Sequence, residues 1–165
     1  MKHFFLILSL FVFTFQACTS QTTNSNAPQS VPEFTFYTLK GNQAVSRTSL
    51  ALQGNIVFVF FDTGCSHCRV EMKAMSENFD KISSANFYLV SQQDPALVTD
   101  FMNTYAKSLL DKPNVTVLLD RNFEFLAKFN PVQYPSVYVF GQDRKLKTYF
   151  DGEQPIEKTI KDINM

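Results

Sequence analysis

The chain has no tryptophan, two histidines, three cysteines, no net charge and no apolar run long enough to cross a bilayer. Each shortage removes a class of function. A structural zinc site needs about four ligands. With His3 and Cys18 in the N-terminal segment, only Cys65, His67 and Cys68 remain as soft ligands, so no metal is expected. Covalent haem attachment needs a histidine directly after the second cysteine, and Arg69 stands there. The 15 basic residues balance the 15 acidic ones without forming a basic stripe, which removes nucleic acid as a partner. Three cysteines cannot build a disulfide scaffold, and the odd number leaves one thiol over in an exported protein.

The N-terminal segment accounts for that odd cysteine. Met1-Lys2-His3 is a short basic leader, and Phe4 to Phe15 is apolar; this pattern suits a secretory signal rather than a membrane span. It ends at Phe15-Gln16-Ala17-Cys18, which resembles a bacterial lipobox, although Phe15 stands where leucine is commonest. The expectation is a signal over 1–17 and a lipid anchor at Cys18. Loss of Lys2 with the signal leaves one acid in excess. Thr19 to Ser30 is polar, without Leu, Ile, Val or an aromatic residue. The segment 18–30 therefore reads as a lipidated cysteine and flexible tether, with a root-mean-square reach of roughly 20 Å. Residues 31–165 suffice for one domain with its own core, expected to be monomeric.

Within that domain, Phe34 to Leu39 alternates apolar and polar residues and ends at Lys40-Gly41-Asn42, half of a hairpin. Ile56 to Phe61 is continuously apolar, as a strand covered on both faces would be. Cys68, Met72, Met75, Phe79 and Ile82 fall on one helical face. Asn86 to Ser91 reads as a strand, and Asp94-Pro95 opens a helix with a cap and a proline at its first position. The apolar side of that helix is Leu97, Val98, Phe101, Met102 and Tyr105. A further strand runs from Val115 to Leu119. A short helix follows near Phe123 to Phe129, with Phe123, Leu126 and Ala127 on one face. Pro135 to Phe140 and Leu146 to Phe150 form a hairpin, and a last helix carries Ile156, Ile160 and Ile163. Alternating strands and helices with a late hairpin call for an α/β fold, a mixed sheet between helical layers.

The segment with chemistry is Cys65-Ser66-His67-Cys68, where a strand gives way to a helix. At a helix N-terminus, unpaired N–H groups and the helix dipole favour a thiolate at Cys65. Cys68 follows one turn later, close enough to close a disulfide. Such a short loop adds little stability by the loop-entropy argument, so a disulfide there serves its chemistry.

Two stretches, FTFYTLKGNQAVSRTSLALQGNIVFVFFDTGCSHCRVEM and FNPVQYPSVYVFGQDRKLKTYFDG, together resemble thioredoxin-fold thiol-disulfide oxidoreductases of the TlpA-like type, related to the redoxins and the AhpC/TSA proteins. The resemblance covers nearly the whole mature domain. It implies a thioredoxin-like three-layer sandwich with an N-terminal β-hairpin and an inserted strand-helix element, Asn86 to Leu110. It also implies that Cys65 is the exposed nucleophile, Cys68 the buried resolving thiol, and Pro135 a cis-proline packed against the pair. Tyr134 would face the substrate. Gly64 replaces the tryptophan this family usually carries before the first cysteine, so the rim would be open or filled by Tyr134. Val59 replaces the buried aspartate of thioredoxins proper, and the nearest acids, Asp62 and Glu71, read as solvated. Ser66 and His67 lie between the cysteines, where an imidazole N–H near Cys65 would stabilise the thiolate and make the protein more oxidising.

The family reading needs no cofactor beyond the redox-active Cys65–Cys68 disulfide. It implies protein thiol or disulfide substrates, a membrane electron donor, a location on the periplasmic face of a Gram-negative membrane, and a reducing role. Two alternatives stay open: a thiol peroxidase on the same fold, and a lipid-anchored module that binds clients or metal without turnover. The peroxidase pattern places Thr or Ser three residues before its cysteine, and Asp62 stands there.

Overall fold

The computed structural model describes residues 26–165; the signal read at 1–17 and Cys18 lie outside the described residues. The strands are β1 (Thr35–Thr38), β2 (Ala44–Ser46), β3 (Ile56–Phe60), β4 (Asn86–Ser91), β5 (Val115–Leu119), β6 (Ser136–Phe140) and β7 (Leu146–Asp151). The α-helices are α1 (Ser66–Glu77), α2 (Pro95–Tyr105), α3 (Glu124–Phe129) and α4 (Ile156–Ile163). All strands join one sheet in the order β2-β1-β5-β4-β3-β6-β7. The central β3, β4 and β5 run parallel, and the flanking strands pair antiparallel.

Period-2 alternation along β3 divides the core in two. Val57 and Val59 point to the layer of α1, α2 and α4, with Cys68, Met72, Phe101, Met102 and Ile163. Ile56, Phe58 and Phe60 point to the opposite layer, with Phe34, Phe36, Phe125 and Phe129. All five β3 residues are buried, which explains a run without alternation. Cys68, Met72 and Met75 form the buried apolar face read for α1, but the helix ends at Glu77. Phe79 and Ile82, read on the same face, are buried from a 3-10 turn at Phe79–Lys81 and the residue after it. Asp94 caps α2, its Oδ1 accepting the Ala96 N–H at 2.8 Å.

Three expectations are corrected. The short helix α3 buries Phe125 and Phe129, whose rings stack at 4.0 Å, whereas Phe123 and Leu126 are 64% and 47% exposed and Ala127 is exposed. The stretch FEFLAKF offers two apolar faces, and the two phenylalanines four apart carry the larger apolar area. On α2, Leu97 is half exposed rather than packed. The tether expected through Ser30 gives way to the domain earlier. Ala27 is buried, Ser30 bridges Lys145, and the Gln29 carbonyl accepts the Leu146 N–H at 2.9 Å. Polar composition concealed these backbone bonds.

The parallel strands deliver Asp62 to Cys65, Gln92 to Asp94 and Asp120 to Arg121 to one end of the sheet. This is where ligands bind in open parallel sheets.

Candidate active site

Cys65 occupies the N-cap position of α1. Its N–H donates to the Asp62 carbonyl at 3.3 Å, and its own carbonyl starts the helix by accepting the Arg69 N–H. Asp62 fixes this turn from the other side, its Oδ1 accepting the Gly64 N–H at 2.7 Å. Gly64 keeps an ordinary φ, and a Cβ there would meet the Asp62 carboxylate at 3.1 Å. The Cys65 side chain is partly exposed, whereas Cys68 is completely buried; both are free thiols.

Burial pushes the Cys68 thiol far above the ordinary range, opposed by the Asp62 backbone and raised further by the neighbouring Cys65 thiol. Val59 lies in the same apolar cluster as Cys68. The pair is thus asymmetric: an accessible sulfur at the helix terminus and a desolvated one behind it.

The second half of the site comes from the loop before β6. The Tyr134–Pro135 peptide bond is cis, as the family resemblance implies. The Tyr134 carbonyl oxygen lies 3.9 Å from Cys65 Sγ, within reach of a thiol donor. The Tyr134 ring packs 5.0 Å from Phe60. Its hydroxyl is held above the ordinary tyrosine range, by burial first and then by Asp62 and the two thiols. An aromatic side chain therefore lines the rim that Gly64 leaves without one.

Asp151 holds this loop. Its Oδ1 accepts from Ser136 Oγ and, at 3.3 Å, from the Gln133 N–H; its Oδ2 accepts from the Tyr149 hydroxyl. Neither Asp151 nor Ser136 stood out in the sequence, although an acid closing a strand opposite Pro-Ser is a signal that could have marked them.

His67 does not turn to Cys65. Its side chain is 65% exposed, and Nδ1 lies 3.1 Å from Glu153 Oε2 in the segment between β7 and α4. Ser66, the other residue between the cysteines, is exposed. Glu71 corrects the solvated reading given above: it is 1% exposed, and its carboxylate accepts the Thr159 hydroxyl at 2.9 Å and the Gln154 N–H at 3.1 Å. Burial raises its pKa against these two hydrogen bonds. Asp62 is partly exposed, and its Oδ2 accepts from Gln93 Nε2 at 2.6 Å. Among the described residues, no group of three or more His, Cys, Asp or Glu could hold a metal ion.

The AhpC/TSA family model matches residues 27–149. The chain belongs to the AhpC/TSA family. Solved structures place this AhpC/TSA chain on the thioredoxin-like fold. A secreted disulfide oxidoreductase of Mycobacterium tuberculosis superposes with a TM-score of 0.65 at 19% identity, covering 79% of this chain and 93% of that one. A thiol:disulfide interchange protein of the thioredoxin family from Chlorobium tepidum gives 0.65 at 18%, covering 82% and 94%. A peroxiredoxin-like protein from Aquifex aeolicus gives 0.62 at 14%, covering 83% and 85%. No curated protein sequence matches the chain significantly. Family and fold together make this AhpC/TSA protein a thioredoxin-like oxidoreductase.

Proposed function

We propose that this protein is an exported thiol-disulfide exchanger that reduces protein disulfides through Cys65 and Cys68 while a lipid on Cys18 holds it at the membrane. The observation that carries the reading is the asymmetry of the pair, with Cys65 accessible at the start of α1 and Cys68 buried behind it. In the first step the Cys65 thiolate attacks a substrate disulfide, forming a mixed disulfide and releasing one substrate thiolate. Cys68 then loses its proton and attacks the Cys65 sulfur, releasing the second substrate thiolate. Two electrons pass to the substrate, and the protein is left with a Cys65–Cys68 disulfide for a membrane donor to reduce.

One observation supports the reducing direction: His67, the residue that would stabilise the Cys65 thiolate and make the protein more oxidising, is engaged by Glu153. The secreted and thiol:disulfide interchange neighbours agree with an exported exchanger. No helix of the described residues is long and apolar enough to cross a membrane.

Insulin reduction with dithiothreitol tests the chemistry. Cys65→Ser should abolish turnover, and Cys68→Ser should accumulate a mixed disulfide; unchanged turnover in Cys65→Ser overturns the mechanism. A midpoint against glutathione above about −180 mV, the value of protein disulfide isomerase, overturns the reducing direction. Cys18→Ser should move the protein from the membrane to the soluble fraction. A peroxidase reading draws on the family and the Aquifex neighbour; faster turnover of hydrogen peroxide than of insulin would put it first.

A further inference from the structure

Beside the dithiol, the C-terminal ends of β4 and β5 enclose a groove of about 330 Å³ lined by Gln92, Gln93, Pro95, Leu119, Asp120 and Arg121, among others. This volume falls at the small end of the clefts that accept organic ligands, about 300–1,000 Å³. No step of the exchange chemistry uses it.

Two primary amides line the groove, and each is clamped by one carboxylate. Gln92 Nε2 donates to Asp120 Oδ2 at 2.7 Å, and Gln93 Nε2 donates to Asp62 Oδ2 at 2.6 Å. Asp120 is itself fixed: it is buried and accepts the N–H groups of Glu124 and Phe125 at 2.9 and 2.8 Å. Each clamp consumes one N–H of its amide and leaves the carbonyl oxygen and the second N–H for a ligand. A held amide loses little freedom on binding. Two such groups offer the donors and acceptors that an extended polypeptide backbone needs, without reading its side chains.

The groove is linked to the turn of the dithiol through Asp62. Asp62, which clamps Gln93, also orders the turn that carries Cys65. In the sheet, Phe60 of β3 lies beside Val90 of β4, and Ser91 of β4 beside Leu119 of β5. At a strand spacing of about 4.8 Å, the groove lies roughly 5–10 Å to the side of β3. An extended chain covers that distance in two or three residues.

We propose that this groove is a backbone-binding subsite for the polypeptide two to three residues from the substrate's reacting cysteine. The proposal rests on the exchange reading above. It assigns the protein to disulfides carried on extended or unfolded segments, in contrast to small disulfides with no flanking peptide.

The test compares two substrates, insulin and bis(2-hydroxyethyl) disulfide, each reduced by the full-length protein. Pro95→Trp fills the groove from an exposed position and removes no hydrogen bond of the fold. Gln92→Met removes one amide and leaves Asp120 its two backbone donors. Each should lower kcat/KM for insulin about 3- to 10-fold, the effect of one or two hydrogen bonds, and leave the small disulfide within about twofold. Circular dichroism and thermal unfolding establish that the variants fold; Pro95→Trp carries the test if Gln92→Met does not. Insulin kinetics unchanged in both variants, or a parallel loss on both substrates, overturn the subsite and leave the exchange reading standing. Turnover that survives Cys65→Ser removes the exchange reading itself, whatever the groove variants do.

Discussion

Cys65 and Cys68 have the same side chain and different surroundings, and their reactivities should separate. At near-neutral pH the thiolate is the reacting form. Cys68 is buried, with its thiol pushed far up. Iodoacetamide should therefore label Cys65 and spare Cys68 until the protein is unfolded, as mass spectrometry of proteolytic fragments would show. Equal labelling in the folded protein would contradict this. Glu71 supplies a pH signature. Burial holds its carboxyl above the ordinary glutamate range, so the folded chain binds that proton more tightly than the unfolded chain. The stability this confers is present at low pH and is lost as pH rises from the ordinary value through the raised one. Against Glu71→Gln, which does not titrate, the native chain should lose ground as pH rises above the ordinary glutamate value. Urea unfolding across that range would measure the slope, and a pH-independent difference would show that Glu71 is not shifted. The C-x-x-C spacing was legible because its chemistry is local. The burial of Glu71 was not, because Thr159 and Gln154, which accommodate it, lie more than eighty positions away.

At the scale of an element, α3 shows how composition can mislead. Its sequence is apolar on two sides, and periodicity alone cannot say which side the sheet covers. Phe125 stacks on Phe60 at 4.2 Å and on Phe129 at 4.0 Å, and those contacts decide the matter. Phe129→Ala should cost about 3–5 kcal/mol, whereas Leu126→Ala should stay within about 1 kcal/mol. Urea unfolding of the pair would check the assignment, and equal losses would restore the face read from the sequence. Phe123 precedes the helix with a φ of +56°, where a residue with a Cβ is strained by about 1–2 kcal/mol. Phe123→Gly should raise the unfolding midpoint in urea. The strands were more legible. The run Ile56–Phe60 could be central and buried on both faces or nothing, and β4 and β5 have the residue ranges that their apolar runs indicated.

Across the whole molecule, the least legible boundary was the beginning of the domain. Asn26 to Ser30 reads as spacer, yet Ala27 is buried and two backbone links tie Gln29 and Ser30 to the β6–β7 hairpin. A chain starting at Val31 should unfold at lower urea than one starting at Asn26, by about 1–3 kcal/mol; identical midpoints would return these residues to the tether. The same links orient the protein. Lys145, which Ser30 joins, follows the end of β6, and Phe140 of that strand lies opposite Ile56 at the start of β3. Cys65 lies beyond the other end of β3, about 16 Å along the sheet. The chain thus enters at one pole and reacts at the other. With the proposed lipid on Cys18, the anchor joins the domain at the pole opposite the dithiol, so anchorage and exchange do not compete for surface.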